Sequence, residues 1–144
     1  MGLYISNFLD MKILYTHHIF TLQPYGGISR QMYEISSLLS KDNKIDASMI
    51  SFFYNNYYLF ENKEKVTVIG FFAKRILLRS INIRILTILN DFITSAFLIF
   101  KRPNIVHETY YSHYVYKNSS SKYITTVHDM IWEKFPNFFK YSNL

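Results

Sequence analysis

Residues 12–30 read KILYTHHIFTLQPYGGISR, and they set the architecture. The opening KILYT is a short apolar run suited to a buried strand. Pro24, Tyr25, Gly26 and Gly27 interrupt the pattern, as Pro and Gly do. From Ile28 to Leu39 the spacing turns helical, with Ile28, Met32, Ile35, Leu38 and Leu39 on one side. A strand that leads through a glycine turn into an amphipathic helix is half of a βαβ unit.

The rest of the chain repeats the alternation. A polar turn at 41–44 precedes a strand-like run at 45–54, which Asn55-Asn56 ends, and residues 66–69 read as a third short strand. Residues 76–100 are long and apolar, either one helix or two broken near 80–82. Arg102-Pro103-Asn104 stops that run, because Pro disfavours helix at its predecessor. Residues 105–107 and 123–127 are further strand candidates. The pattern predicts an α/β fold with a parallel sheet covered by helices on both faces. In such sheets ligands bind beyond the carboxyl ends of the strands.

Composition narrows the classes. The chain has 144 residues, enough for a single domain with a real core. Hydrophobic residues at 49% and charged residues at 18% exclude intrinsic disorder. The absence of Cys excludes a disulfide scaffold, thiolate zinc sites and a Cys nucleophile. Tyr and Phe, at 13 each, are rich, but their codons share the A/T bias of the abundant Ile, Asn and Lys, so aromatic content carries no functional weight. Residues 1–10 do not read as a signal peptide: no basic region opens them, and Asp10 falls where cleavage would. Met11 also fits as the start, with 1–10 as an upstream extension and 11–144 as the domain. The apolar run 85–100 is short of the roughly 20 residues a spanning helix needs and contains Asn90 and Asp91. A buried or surface-lying helix is expected there.

The net charge of +6 sits almost wholly in one segment. Residues 71–104 carry Lys74, Arg75, Arg79, Arg84, Lys101 and Arg102 against Asp91 alone. This suits an anionic partner such as a membrane surface, or a solvated helix face. No nucleic-acid motif accompanies it, so nucleic acid is not expected as a partner.

Three strand ends carry chemistry. After the first strand come His17, His18 and the Gly26-Gly27 turn into a helix, whose free N–H groups and dipole suit phosphate. Arg30 in the first helical turn opposes that dipole unless an anion lies near; the alternative is a solvated arginine. After the strand at 105 comes His107-Glu108-Thr109-Tyr110-Tyr111-Ser112-His113. Its histidines are six apart, not the four of a zincin helix. A polar, aromatic rim fits better, its Tyr rings stacking on sugar faces or filling core. After the strand at 123 come His128 and Asp129. His128 can donate to a hydroxyl or phosphate or act as a base, or Asp129 caps a helix beside a satisfied His128. No P-loop, G-x-S-x-G or G-x-G-x-x-G is present.

In order and spacing, Tyr25-Gly26-Gly27-Ile28-Ser29-Arg30, the segment His107 to Ser112, and Thr126-Val127-His128-Asp129-Met130 followed by Glu133-Lys134-Phe135-Pro136 resemble the N-terminal domain of family 4 retaining glycosyltransferases. The likeness runs from about Lys12 to Phe139. It implies a Rossmann-like domain forming the acceptor side of a GT-B fold. Nucleotide-sugar donor and a polysaccharide or lipid-linked glycan acceptor would be the partners, with no metal or other cofactor. It places Gly26, Gly27 and Arg30 toward the donor diphosphate, and His128 with Asp129 at the reaction centre. His107, Thr109, Tyr110 and Tyr111 fall to substrate binding. A cytoplasmic location follows, either free or peripheral on the inner face of the membrane. Gln31 departs from the aromatic residue, and Glu108 from the proline, common at those positions. The family's donor domain, with its paired glutamates, is not within these 144 residues. The expectation is a truncated or split enzyme, inert alone, its donor domain separately encoded; a remnant without function, or a membrane- or anion-binding module without catalysis, is the alternative.

Overall fold

A computed structural model describes residues 11–62, 64–73, 82–112, 116 and 120–135. Five strands form one sheet: β1 Met11–Tyr15, β2 Ile45–Tyr54, β3 Thr67–Phe72, β4 Ile105–Glu108 and β5 Lys122–Thr125. Their order is β3-β2-β1-β4-β5 and every pair is parallel. The helices are α1 His18–Leu22, α2 Gly27–Leu39, α3 Tyr57–Glu61, α4 Ile83–Lys101 and α5 Ile131–Lys134. The expected parallel α/β sheet is present and Rossmann-like. Its order reverses between β1 and β4, and a ligand crevice opens at such a switch point.

Alternation along β1 sends its side chains to two cores. Ile13 and Tyr15 pack with Ile19, Phe20, Met32 and Leu59 of α1, α2 and α3. Leu14 points the other way and joins Ile50, Val106 and Leu98 of α4. Helices therefore cover both faces.

The helix at 28–39 forms, with one face residue displaced. Met32 is fully buried and Ile28, Ile35 and Leu39 pack at its border, but Leu38 is 60% exposed. Tyr33, Ser29 and Ser36 take the buried positions instead. Of the apolar run 76–100, the described helix starts at Ile83, where Asn82 caps α4 by accepting from the Arg84 N–H; residues 74–81, with Lys74, Arg75 and Arg79, lie outside the described residues. Arg102 ends α4 in the left-handed conformation at φ 43°, its N–H on the Leu98 carbonyl, and Pro103 forbids continuation.

β3 runs further than 66–69, to Phe72, beside an irregularity in β2 between Ile50 and Phe53. Gly70 sits across from it at φ 151°, where a Cβ would overlap the Ser51 carbonyl. Only glycine fits there. The irregularity is closed by a side chain. Asn90 of α4 accepts from the Phe53 N–H and donates to the Phe53 carbonyl, both at 2.9 Å, in the manner of a strand partner.

Helix α4 is inverted with respect to an ordinary surface helix. Its buried face carries Asn90, Asp91 and Thr94 with Leu86 and Leu98. Its outer face is apolar: Ile85, Ile88, Leu89, Phe92, Ile99 and Phe100 are all exposed. By length and composition alone it could cross a membrane, with 28% of its most apolar window buried.

Candidate functional site

The carboxyl ends of β1, β4 and β5 meet around the switch point. Thr109, just past β4, ties them together. Its N–H donates to the Thr16 hydroxyl, its own hydroxyl donates to the Thr16 carbonyl, and it accepts from the Ile19 N–H. Fully buried and so engaged, Thr109 holds the rim rather than facing it. Tyr110 and Tyr111 follow with rings 5.2 Å apart.

His128 is brought to the same place from β5. Its N–H donates to the Tyr111 hydroxyl at 3.2 Å, and its ring lies 21° from parallel with Tyr110 at 6.4 Å. His128 Nε2 is buried and has no hydrogen-bond partner. A buried nitrogen without a protein partner is open to a hydrogen bond from a ligand group or a water. Asp129 accepts from the Ile131 N–H at 3.3 Å, an Asx turn one residue ahead of Met130, the N-cap of α5. Of the two adjacent residues, His128 faces the crevice chemistry and Asp129 shapes the turn.

His107 completes this group. Its Nε2 is 2.9 Å from the Thr126 hydroxyl and its ring packs on Tyr15. Burial pulls its pKa below 6.5, and the nearby His128 charge adds to that. The unfolded chain therefore takes up this proton at higher pH than the fold does. Stability contributed here is complete above pH 6.5 and falls as pH drops through the folded pKa. His107→Gln keeps a polar contact without titrating. A denaturation series from pH 7.5 to 5 should show a shallower loss for this variant than for the wild type, and identical slopes would remove His107 as the titrating group.

The glycine turn stands apart. Helix α1, five residues too short to show a period in the sequence, separates it from β1. Gly26 is extended at φ 175°, and a Cβ there would meet the flexible end of Gln23, whereas Gly27 has open space. Neither position demands glycine by φ. The Gly26 carbonyl accepts from the Ser29 hydroxyl and the Arg30 N–H. Arg30 is solvent-exposed with Glu34 at 4.0 Å, so the solvated reading of this arginine fits. β1 and β5 are two strands apart, about 10 Å at ordinary strand spacing. A groove of about 570 Å³ lined by Arg30, Tyr33, Glu34, Tyr58, Glu61 and Lys65 runs along α2 and α3. It lies outside α2 and brings together none of His107, Tyr110, Tyr111 and His128.

At the end of β1 is a buried cluster in which His17 and His18 meet Asp91, too far along the sequence to be joined to them by spacing. His17, His18 and Asp91 are all buried. His17 Nε2 is 3.0 Å and His18 Nε2 is 3.2 Å from the same Asp91 oxygen, and Tyr116 donates to that oxygen at 2.8 Å. The two imidazoles stack with centroids 4.1 Å apart. Burial lowers His17 to a pKa of about 4 despite its bond to Asp91, so the ring is neutral at pH 7. Burial would raise Asp91, but the His17, His18 and Tyr116 contacts outweigh it and keep the carboxylate ionised. The signal for Asp91 was present in the sequence: two adjacent polar residues inside an apolar helix need buried partners.

The fold and site together define a Rossmann-like α/β domain with His107, Tyr110, Tyr111 and His128 gathered at the carboxyl ends of β4 and β5, beside its switch point. No family model, curated protein or solved structure matches the chain.

Proposed function

We propose that this chain is the acceptor-side domain of a retaining glycosyltransferase, moving a hexose-type sugar from a nucleotide-sugar to a cell-surface polysaccharide or lipid-linked glycan. The observation that carries the reading is His128: a buried, unpartnered Nε2 beside two tyrosines at the switch point of a parallel sheet. Tyr110 and Tyr111 offer ring faces and a hydroxyl to a sugar. His128 Nε2 would bond a hydroxyl of the transferred sugar. The N-terminus of α2 at Gly26-Gly27, across the β1 end, would meet the diphosphate as it departs, where backbone N–H groups and the helix dipole favour negative charge. The transfer, on this reading, runs without a metal or other cofactor, and the rest of the donor site belongs to a domain outside these 144 residues.

The acceptor would reach the site from an anionic membrane surface on the cytoplasmic side. The apolar outer face of α4 supports this, with Arg84 at one end and Lys101 and Arg102 at the other. The only acidic side chain of that helix, Asp91, is buried. Apolar area plus basic flanks is the combination that holds a helix at an anionic interface.

The test is ligand binding by the purified chain. Nucleotide-sugar should bind and His128→Ala should weaken it at least about tenfold, the scale of one lost hydrogen bond to a buried group. The chain alone should not turn over any nucleotide-sugar; turnover that His128→Ala abolishes would overturn the half-enzyme reading.

A further inference from the structure

In the His17, His18 and Asp91 cluster three polar groups crowd one carboxylate oxygen. His17 Nε2 and the Tyr116 hydroxyl both bond Asp91 Oδ1. His18 Nε2 lies 3.2 Å from that same oxygen, yet it is out of line and makes no hydrogen bond. A buried ring nitrogen thus lies beside a carboxylate oxygen without a hydrogen bond to it.

The second shell is already built. The other nitrogen of each ring is held by a threonine hydroxyl: His17 Nδ1 by Thr21 and His18 Nδ1 by Thr16, each at 3.2 Å. Thr21 is itself held by Asn90 at 3.1 Å, and Thr16 by the Thr109 N–H. Fixing Nδ1 turns both Nε2 atoms to one point, the arrangement that outer-shell partners give to metal-bound histidines.

We propose that His17 Nε2, His18 Nε2 and Asp91 Oδ1 hold one divalent first-row cation, with Zn²⁺ the best fit, in a structural site at the end of β1. The three ligand atoms lie within 4.8 Å of one another. Bonds of about 2.0–2.2 Å to a tetrahedral zinc place neighbouring ligands about 3.4 Å apart, and the two separations from Oδ1, 3.0 and 3.2 Å, need only small adjustment. Tyr116 supplies a further oxygen on the same side. Two imidazoles and a carboxylate suit zinc better than calcium or magnesium, which prefer all-oxygen shells. Burial makes the site closed, hence structural. The ion would tie the end of β1 to α4, across 74 residues of chain. Each imidazole would bind as the neutral ring with its proton on Nδ1, where the Thr21 and Thr16 hydroxyls can accept it, and no redox step is involved.

The inference stands apart from the glycosyltransferase reading. The experiment uses the 144-residue chain, stripped with chelator and then given Zn²⁺ or Co²⁺. One ion per chain should be taken up, and at a hundredfold excess over Kd the melting temperature should rise by about 8 °C. Co²⁺ should give the strong visible bands of a four-coordinate site. His18→Gln and Asp91→Asn should lose the shift and the bands. If either variant fails to fold, metal content and the Co²⁺ spectrum of the wild type decide. No uptake by the wild type, or equal uptake and shift in a folded His18→Gln, overturns the site. Loss of glycan binding would not bear on it.

Discussion

Asp91→Ala is expected to cost the metal-free fold about 3–5 kcal/mol, a large share of a small domain's stability. The reason is what remains behind. His17 and Tyr116 each lose the acceptor of a buried hydrogen bond. A buried donor without a partner costs roughly 1–3 kcal/mol, and the missing carboxylate leaves a void besides. Asp91→Asn keeps one acceptor oxygen and should lose about half as much. Phe92→Ala is the neighbouring control: that ring is 72% exposed, so its loss should stay within about 0.5 kcal/mol. Urea midpoints at constant slope measure all three. A loss for Asp91→Ala no larger than that for Phe92→Ala would remove the cluster as a keystone of the fold.

Anionic vesicles should bind the chain strongly at low salt, and Phe92→Glu should weaken that binding by roughly a hundredfold. Burying one large apolar side chain is worth about 1.5–3 kcal/mol, and each lysine or arginine near an anionic surface adds about 1 kcal/mol. Phe92 and Ile88, among the most exposed apolar residues of α4, lie one helical turn apart. Arg84, Lys101 and Arg102 are exposed at the helix ends. Salt should weaken the association, because it screens the basic ends but not the apolar face. The helix would lie on the surface rather than span it, since Asn90 and Asp91 are bonded into the sheet and the histidine cluster. Sedimentation with phosphatidylglycerol vesicles measures the partition. No binding at low salt would remove the membrane from the account.

The architecture was legible because its elements obey strong periodic rules. Residues 12–16 and 105–107 are apolar runs between breakers, and a strand in a two-sided parallel sheet has to look that way. Where the reading slipped, tertiary contacts had overruled pattern. Leu38 satisfied the helical spacing, yet Tyr33 and the small Ser29 and Ser36 won the buried face. Helix α1 is five residues long, too short to show a period, and it is held by the Thr109 hydroxyl on the Ile19 N–H, 90 residues away. The crevice was half legible. His107, Tyr110, Tyr111 and His128 could be placed at strand ends, and they do converge. Thr109 looked equally polar, but only the structure reveals that both ends of its hydrogen-bonding capacity are used by backbone. Asp91 was legible as an anomaly in an apolar helix, while its partners, 73 and 74 residues upstream, were not.

The central claim is that His128 faces a sugar at the switch point. It is tested most directly by following the histidine ring nitrogens by NMR while glycan acceptor or nucleotide-sugar is added to the purified chain. The account predicts saturable shifts at His128 and His107, lost in Tyr111→Ala together with binding. Saturable binding that leaves both histidines unmoved and perturbs only α2 and α3 would contradict it, as would the absence of any binding.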